Sequence, residues 1–158
     1  MTMNKTALVT LITAFSLTLC GPILADPSDN KEPSVVYPQV MSKSEIAGDI
    51  FKRDDMILET SETGRKTYDV VSLLSQDKKF VSGMYRAEAG RFEITEPYGV
   101  DEYMHFLQGG VTLTSSDGSV QVIKAGDSVT IPKEWTGVWD TDGYTKIYVI
   151  YSPDAPIE

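Results

Sequence analysis

Of 158 residues only one is cysteine (Cys20) and only one is histidine (His105). A disulfide needs two cysteines, a zinc finger four Cys or His ligands, and a three-histidine metal centre three histidines. Counting excludes all of them. Positive charge is also scarce: 14 Lys and Arg stand against 23 Asp and Glu, a formal charge of −9. Polyanions are bound by basic faces, so this balance argues against nucleic acid and anionic lipid as partners. Long apolar runs are missing too. An uncharged run covers residues 7–19, which is too short for a bilayer that takes about 20 apolar residues to cross. What is present, 41% apolar and 23% charged residues, is the mix of one globular domain.

Residues 1–25 differ in kind from the rest. Lys5 carries the one charge, the uncharged run follows, Gly21 and Pro22 break it, and Ala25 precedes Asp26. A basic start, a short apolar core and a small residue before the cut describe a secretory signal peptide; a buried N-terminal helix is the alternative. Cys20 could mark an acylated lipoprotein, but Leu19 stands where such signals carry a small residue. Cleavage after Ala25 removes the cysteine and one positive charge. The expected product is an exported chain, periplasmic or secreted, with no thiol to oxidise and no membrane partner after cleavage.

Residues 26–66 read as an N-terminal arm. Residues 26–38 are polar with three prolines, and 42–52 could form one short helix capped by Ser42 or Ser44. From residue 67 to 156 short apolar runs alternate with turn residues. Candidate strands are 68–74, 79–86, 91–95, 102–107, 111–114, 120–124, 128–131, 137–140 and 146–151, with turn chemistry at 115–118, 125–127 and 142–143. Turns at this spacing, without a long amphipathic helix, predict an all-β fold: an antiparallel sandwich or barrel.

Two stretches resemble the cupin superfamily. Its first motif ends in Glu, six residues, then Gly, as in Glu102 to Gly109; its second begins with Gly, five residues, then Pro, as in Gly126 to Pro132. Residues 126–151 resemble the branch of small cupins that includes ureidoglycine aminohydrolase and the ethanolamine-utilisation cupin. Gly126, Asp127, Ile131, Pro132, Gly137, Trp139, Lys146, Tyr148 and Val149 match its usual text. The resemblance covers roughly 81–153 and implies a jelly-roll β-barrel with a pocket in its mouth. It also implies a homodimer, since cupins often pair through sheet edges.

The departures from that family bear on chemistry. Metal-binding cupins carry His-x-His before the motif Glu and a further His after the motif Pro. Here those places hold Glu96 and Tyr98 (or Thr95 and Pro97), and Gly137. The three-His-one-Glu centre cannot form, so no metal and no cofactor is expected; the dioxygenase chemistry tied to that centre does not carry over, and the aminohydrolase-like reading is weakened because that enzyme relies on a metal. A carboxylate site built from Glu96 and Glu102 is the remaining route to a hard cation. His105 alternates to the face opposite Glu102 along a strand, so it reads as a packed or hydrogen-bonded residue.

Glu102 sits where cupins place a pocket carboxylate. In an apolar barrel mouth it would serve as general acid or base, whereas on a strand edge it would be a surface charge. Lys146 and Tyr148 share one face of the last strand. Periodicity puts the apolar stripe Ile147, Val149 and Tyr151 in the core instead, while the resemblance retains the lysine, so both orientations stay open. Glu102, Lys146 and Tyr148 are the catalytic candidates. Met104, on the face of Glu102, joins Tyr85, Trp135 and Trp139 as candidate ligand contacts, although aromatics equally fill cores. Glu96 and Arg91 complete the set; Arg91 could clamp a carboxylate or stand as a solvated surface charge.

Two functions fit. One is a metal-independent exported enzyme acting on a small polar metabolite by proton transfer, isomerisation, elimination or C–N hydrolysis. The other is a ligand-binding or dimeric structural module without turnover. The same pocket residues serve either one.

Overall fold

A computed structural model describes residues 35–157. The signal-peptide reading and most of the prolyl arm fall outside them. The unit built from Gln39 onward starts with helix α1 (Lys43–Ile46). Its cap is reciprocal: the Glu45 N–H donates to Ser42 Oγ at 3.2 Å, and the Ser42 N–H donates to Glu45 Oε2 at 2.7 Å. Gly48 then takes φ 125° and a 3-10 turn follows over Asp49–Lys52. The single helix expected over 42–52 is therefore two short pieces, because the chain turns at a φ that suits glycine.

Seven strands make the body: β1 (Ile57–Thr60), β2 (Lys66–Leu74), β3 (Phe80–Ile94), β4 (Asp101–Ser115), β5 (Val120–Lys124), β6 (Ser128–Ile131) and β7 (Gly137–Tyr151). All pairings are antiparallel, in the order β1-β2-β3-β7-β4-β5, with β6 also on β4. The expected all-β jelly roll is the observed one. Three pairs of expected strands are, however, single strands of 15 residues each. The sequences Ala89-Gly90, Gly109-Gly110 and Asp142-Gly143 look like turns but bend long strands without ending them. Irregularities in the β4–β7 ladder fall between Phe106 and Gln108 and between Gly109 and Thr112. Across this stretch the buried side chains switch from Glu102, Met104 and Phe106 to Val111 and Leu113. Bulges of this kind curl a sheet and re-aim its side chains.

Each long strand thus contributes to two halves of a curled sheet. β3 and β4 flank β7 along nearly its whole length, from Phe80↔Tyr151↔Asp101 to Ile94↔Gly137↔Ser115. Inside lies a core of Phe106, Val111, Leu113, Ile123, Ile131, Trp139 and Tyr144. A second core lies on the other face of β2 and β3, where Ile50 and Phe51 of the 3-10 turn cover Val70 and Met84. Both faces of these strands are therefore covered around Val70 and Met84. The free edge of β3 beyond β2 is blunted by Arg65: its Nε donates to the Glu88 carbonyl at 3.0 Å and its guanidinium sits 4.7 Å from the Phe92 ring centre.

Candidate functional site

The register sets out the inner face of the curled sheet row by row. Ile57, Asp69, Tyr85, Lys146 and Phe106 lie side by side across five strands. The next row on the same face is Val71, Gly83, Tyr148 and Met104, and the one after it contains Leu74, Val81, Ile150, Glu102 and Ile131. Side chains repeat every two residues on one face of a strand, so Tyr144, Lys146 and Tyr148 all point inward, and all three are buried. This decides the orientation of β7 against its apolar stripe. Ile147 packs instead into the outer core, and Tyr151 is 50% exposed.

At the centre is a buried ion pair. Lys146 Nζ donates to Glu102 Oε1 at 2.6 Å, with the two side chains 7% and 4% exposed. The other carboxylate oxygen, Oε2, accepts the Tyr98 hydroxyl at 2.5 Å. The ammonium also reaches Met104 Sδ at 3.0 Å and lies 5.4, 5.6 and 5.7 Å from the ring centres of Tyr85, Trp139 and Tyr144. Carboxylate, thioether and three aromatic faces together offset the cost of taking this charge out of water.

Nearby, the Tyr148 hydroxyl donates to Asp69 Oδ1 at 2.9 Å. Its path depends on Gly83, where a Cβ would stand 2.8 Å from the Tyr148 hydroxyl and 2.3 Å from the Val70 carbonyl oxygen. Burial raises the Asp69 carboxyl above its ordinary value, against the Tyr148 hydrogen bond and the attraction of Lys146. Burial likewise raises the phenols: Tyr98 well above normal, with Glu102 adding to it, Tyr144, Tyr148 with Asp69 adding to it, and Tyr85. The wall therefore presents neutral phenols as hydrogen-bond donors beside two carboxyl groups and one ammonium.

The structure brings Glu102, Lys146, Met104, Tyr85 and Trp139 together, with Tyr148 one row away. Trp135 packs against the inner core, with its ring 6.5 Å edge-on from that of Tyr98, and its Nε1 donates to Ser115 Oγ at 3.1 Å. Arg91 and Glu96 do not join. Arg91 is 65% exposed and pairs with Asp140 at 2.6 Å, and Glu96 is exposed in the loop after β3. His105 faces away from Glu102, with Nδ1 2.9 Å from Ser128 Oγ. Three wall residues escaped the sequence analysis: Asp69, Tyr98 and Tyr144. Tyr98 had a signal, because it occupies one of the places where metal-binding cupins carry histidine.

Cupin metal sites supply the obvious cofactor to test against this wall. The residues do not fit one. Both oxygens of Glu102 are engaged by Lys146 and Tyr98, and among the described residues no three His, Cys, Asp or Glu side chains converge. A transition ion needs several such donors. A separate open groove of about 450 Å³ is lined by Gly109, Thr112, Lys124, Asp140 and Asp142 among others, and by none of the candidate residues.

A family model for EutQ-like cupin domains matches residues 74–148. The fold is similar to that of a DUF861-family protein of unknown function from Pseudomonas syringae pv. tomato, with a TM-score of 0.54 and 16% identity. That match covers 60% of this chain and 43% of the other, so the chain spans less than half of it. It is also similar to EutQ of Clostridium difficile, with a TM-score of 0.50, 20% identity, and coverage of 63% and 78%. No curated protein sequence matches the chain.

Proposed function

We infer from this chain's membership of the cupin superfamily, in its EutQ-like branch over residues 74–148, that the inner wall around Glu102 and Lys146 is a small-molecule site that moves a proton without a metal. The observation that carries the reading is the 2.6 Å contact between those two side chains inside the cup. A carboxylate held against an ammonium and a phenol can take a proton from a ligand, while the ammonium stabilises the negative charge left behind. Isomerisation and elimination begin this way; in C–N hydrolysis the carboxylate takes the proton from the attacking water instead, and the leaving nitrogen receives it. The reading keeps the exported location and the paired state expected from the sequence. The uncharged run at 7–19 supports export. Leu73, Phe80, Tyr103 and Tyr151, exposed on the outer sheet face, support pairing with a second copy.

A second reading, binding without turnover, draws on a different fact: among the described residues every buried side-chain polar atom already has a partner. Such a wall is fully satisfied before any ligand arrives.

The test is a thermal-shift screen of purified protein against a broad metabolite panel, followed by a turnover assay on whatever binds. Glu102→Gln alone would strand a buried ammonium at a cost of about 3–5 kcal/mol, so the informative variant is Glu102→Gln/Lys146→Met, which removes both charges. It is expected to keep its fold by circular dichroism and to lose conversion of the ligand. Undiminished turnover in that variant overturns proton transfer here. Binding without conversion in the wild type selects the second reading.

A further inference from the structure

Asp69 stands apart from the central ion pair. It accepts the Tyr148 hydroxyl, yet among the described residues no Lys or Arg forms an ion pair with it. Half-buried carboxylates normally have a cation close by, because taking the charge out of water is costly. The cation in its own row, Lys146, is across Tyr85 and is held by Glu102. Arg65, which also acts on Tyr85, is engaged with the Glu88 carbonyl and the Phe92 ring. Glu59, exposed on β1 opposite Thr67, adds further negative potential at Asp69.

Asp69 is also flanked by aromatic rings. Tyr85 is directly across from it on β3, and Tyr148 reaches it from β7. The same wall already holds one ammonium, that of Lys146, at 5.4 Å from the Tyr85 ring. An acid that shares no ion pair, next to a ring that already attracts one ammonium, is a receptor for an organic cation, since ring quadrupole and carboxylate both draw positive charge.

We propose that the cup takes a small organic cation, an alkylammonium group seated against Asp69 and over the Tyr85 ring. This rests on the small-molecule reading of the cup and adds the charge of the ligand to it. It also gives Asp69 a role distinct from Glu102: recognition at the ammonium, with the Glu102–Lys146 pair left to act on the rest of the molecule.

Calorimetric titration at matched ionic strength tests it, with propylammonium and tetramethylammonium as cations, propionate as the anion and 1-propanol as the neutral probe. The cations are expected to bind at least about tenfold more tightly than propionate or propanol, the scale of one charge-assisted contact. Asp69→Asn should remove about that factor for the cations and leave 1-propanol unchanged. Tyr85→Leu should weaken the cations and not the alcohol, and it carries the test should Asp69→Asn fail to fold. Preference for propionate, or cations bound equally well by Asp69→Asn or Tyr85→Leu and wild type, overturns the proposal and leaves the small-molecule reading standing. Silence from all four probes also overturns it, and the metabolite panel then decides the broader reading on its own.

Discussion

Asp69 and Glu102 are two carboxyl groups on one wall with different neighbours. Glu102 has an ammonium and a phenol in contact. Asp69 has one phenol and a deficit of hydration, which lifts its carboxyl above the ordinary range. The folded chain therefore holds this proton more tightly than the unfolded chain does. Raising the pH from the unfolded value through the elevated folded value removes the proton and takes stability with it. Asparagine does not ionise and still accepts the Tyr148 hydroxyl. Asp69→Asn should thus be the more stable protein at pH 7, with the advantage gone below the ordinary Asp value of about 3.9. Urea unfolding across that range checks it, and a variant less stable than wild type at pH 7 refutes it. Keeping an acid that lowers stability is what a binding residue is expected to do. The inward place of Glu102 was legible in the sequence through motif spacing, whereas Lys146 stood open between periodicity, which pointed it outward, and the family resemblance, which retained it. Asp69 was not, because a polar residue within an apolar strand reads as the solvent side, and here the polar side of the strand is the inside.

The same inversion governs the strands. In β7 the apolar residues Ile147 and Val149 alternate with Lys146 and Tyr148, and periodicity alone points the apolar set to the core. The outer core under the 3-10 turn claims Ile147 instead, so two apolar environments compete for one alternation. Strand existence was well marked in the sequence, whereas strand length was not. Glycine pairs at 109–110 and the Asp142-Gly143 step carry turn chemistry, yet the β3–β7 and β4–β7 ladders run past them. β1 was missed because all four of its residues are exposed and show no burial pattern. Gly83 is the residue on which the middle of β3 depends. Alanine there would meet the Val70 carbonyl at 2.3 Å and the Tyr148 hydroxyl at 2.8 Å. Gly83→Ala should cost about 1–3 kcal/mol, the usual range for overpacking, and should break the Tyr148–Asp69 contact. A denaturant melt with tyrosine-resolved NMR would show both, and an unshifted melt would refute it.

For the molecule as a whole, stability comes from two cores on opposite faces of one sheet. The inner one is interrupted by the Glu102–Lys146 pair and by hydroxyl groups; the outer one, Ile50, Phe51, Val70 and Met84, is capped by the Arg86 guanidinium, 4.2 Å from the Phe51 ring centre. Ile50 has no exposed surface, so Ile50→Ala should cost about 2–5 kcal/mol by lost burial and the cavity left behind. Equilibrium urea unfolding measures it, and a loss under 1 kcal/mol, on the order of an exposed position, would mean the segment does not clamp the sheet. Met84 and Tyr85 are consecutive residues of β3, the first beneath this clamp and the second facing Lys146. Amino-acid changes in the outer segment can therefore shift the tilt of an inner ring without any of them touching a guest. A graft that transplants the barrel and swaps residues 41–56 for a foreign cover would carry over the chemistry of the lining and still retune its grip.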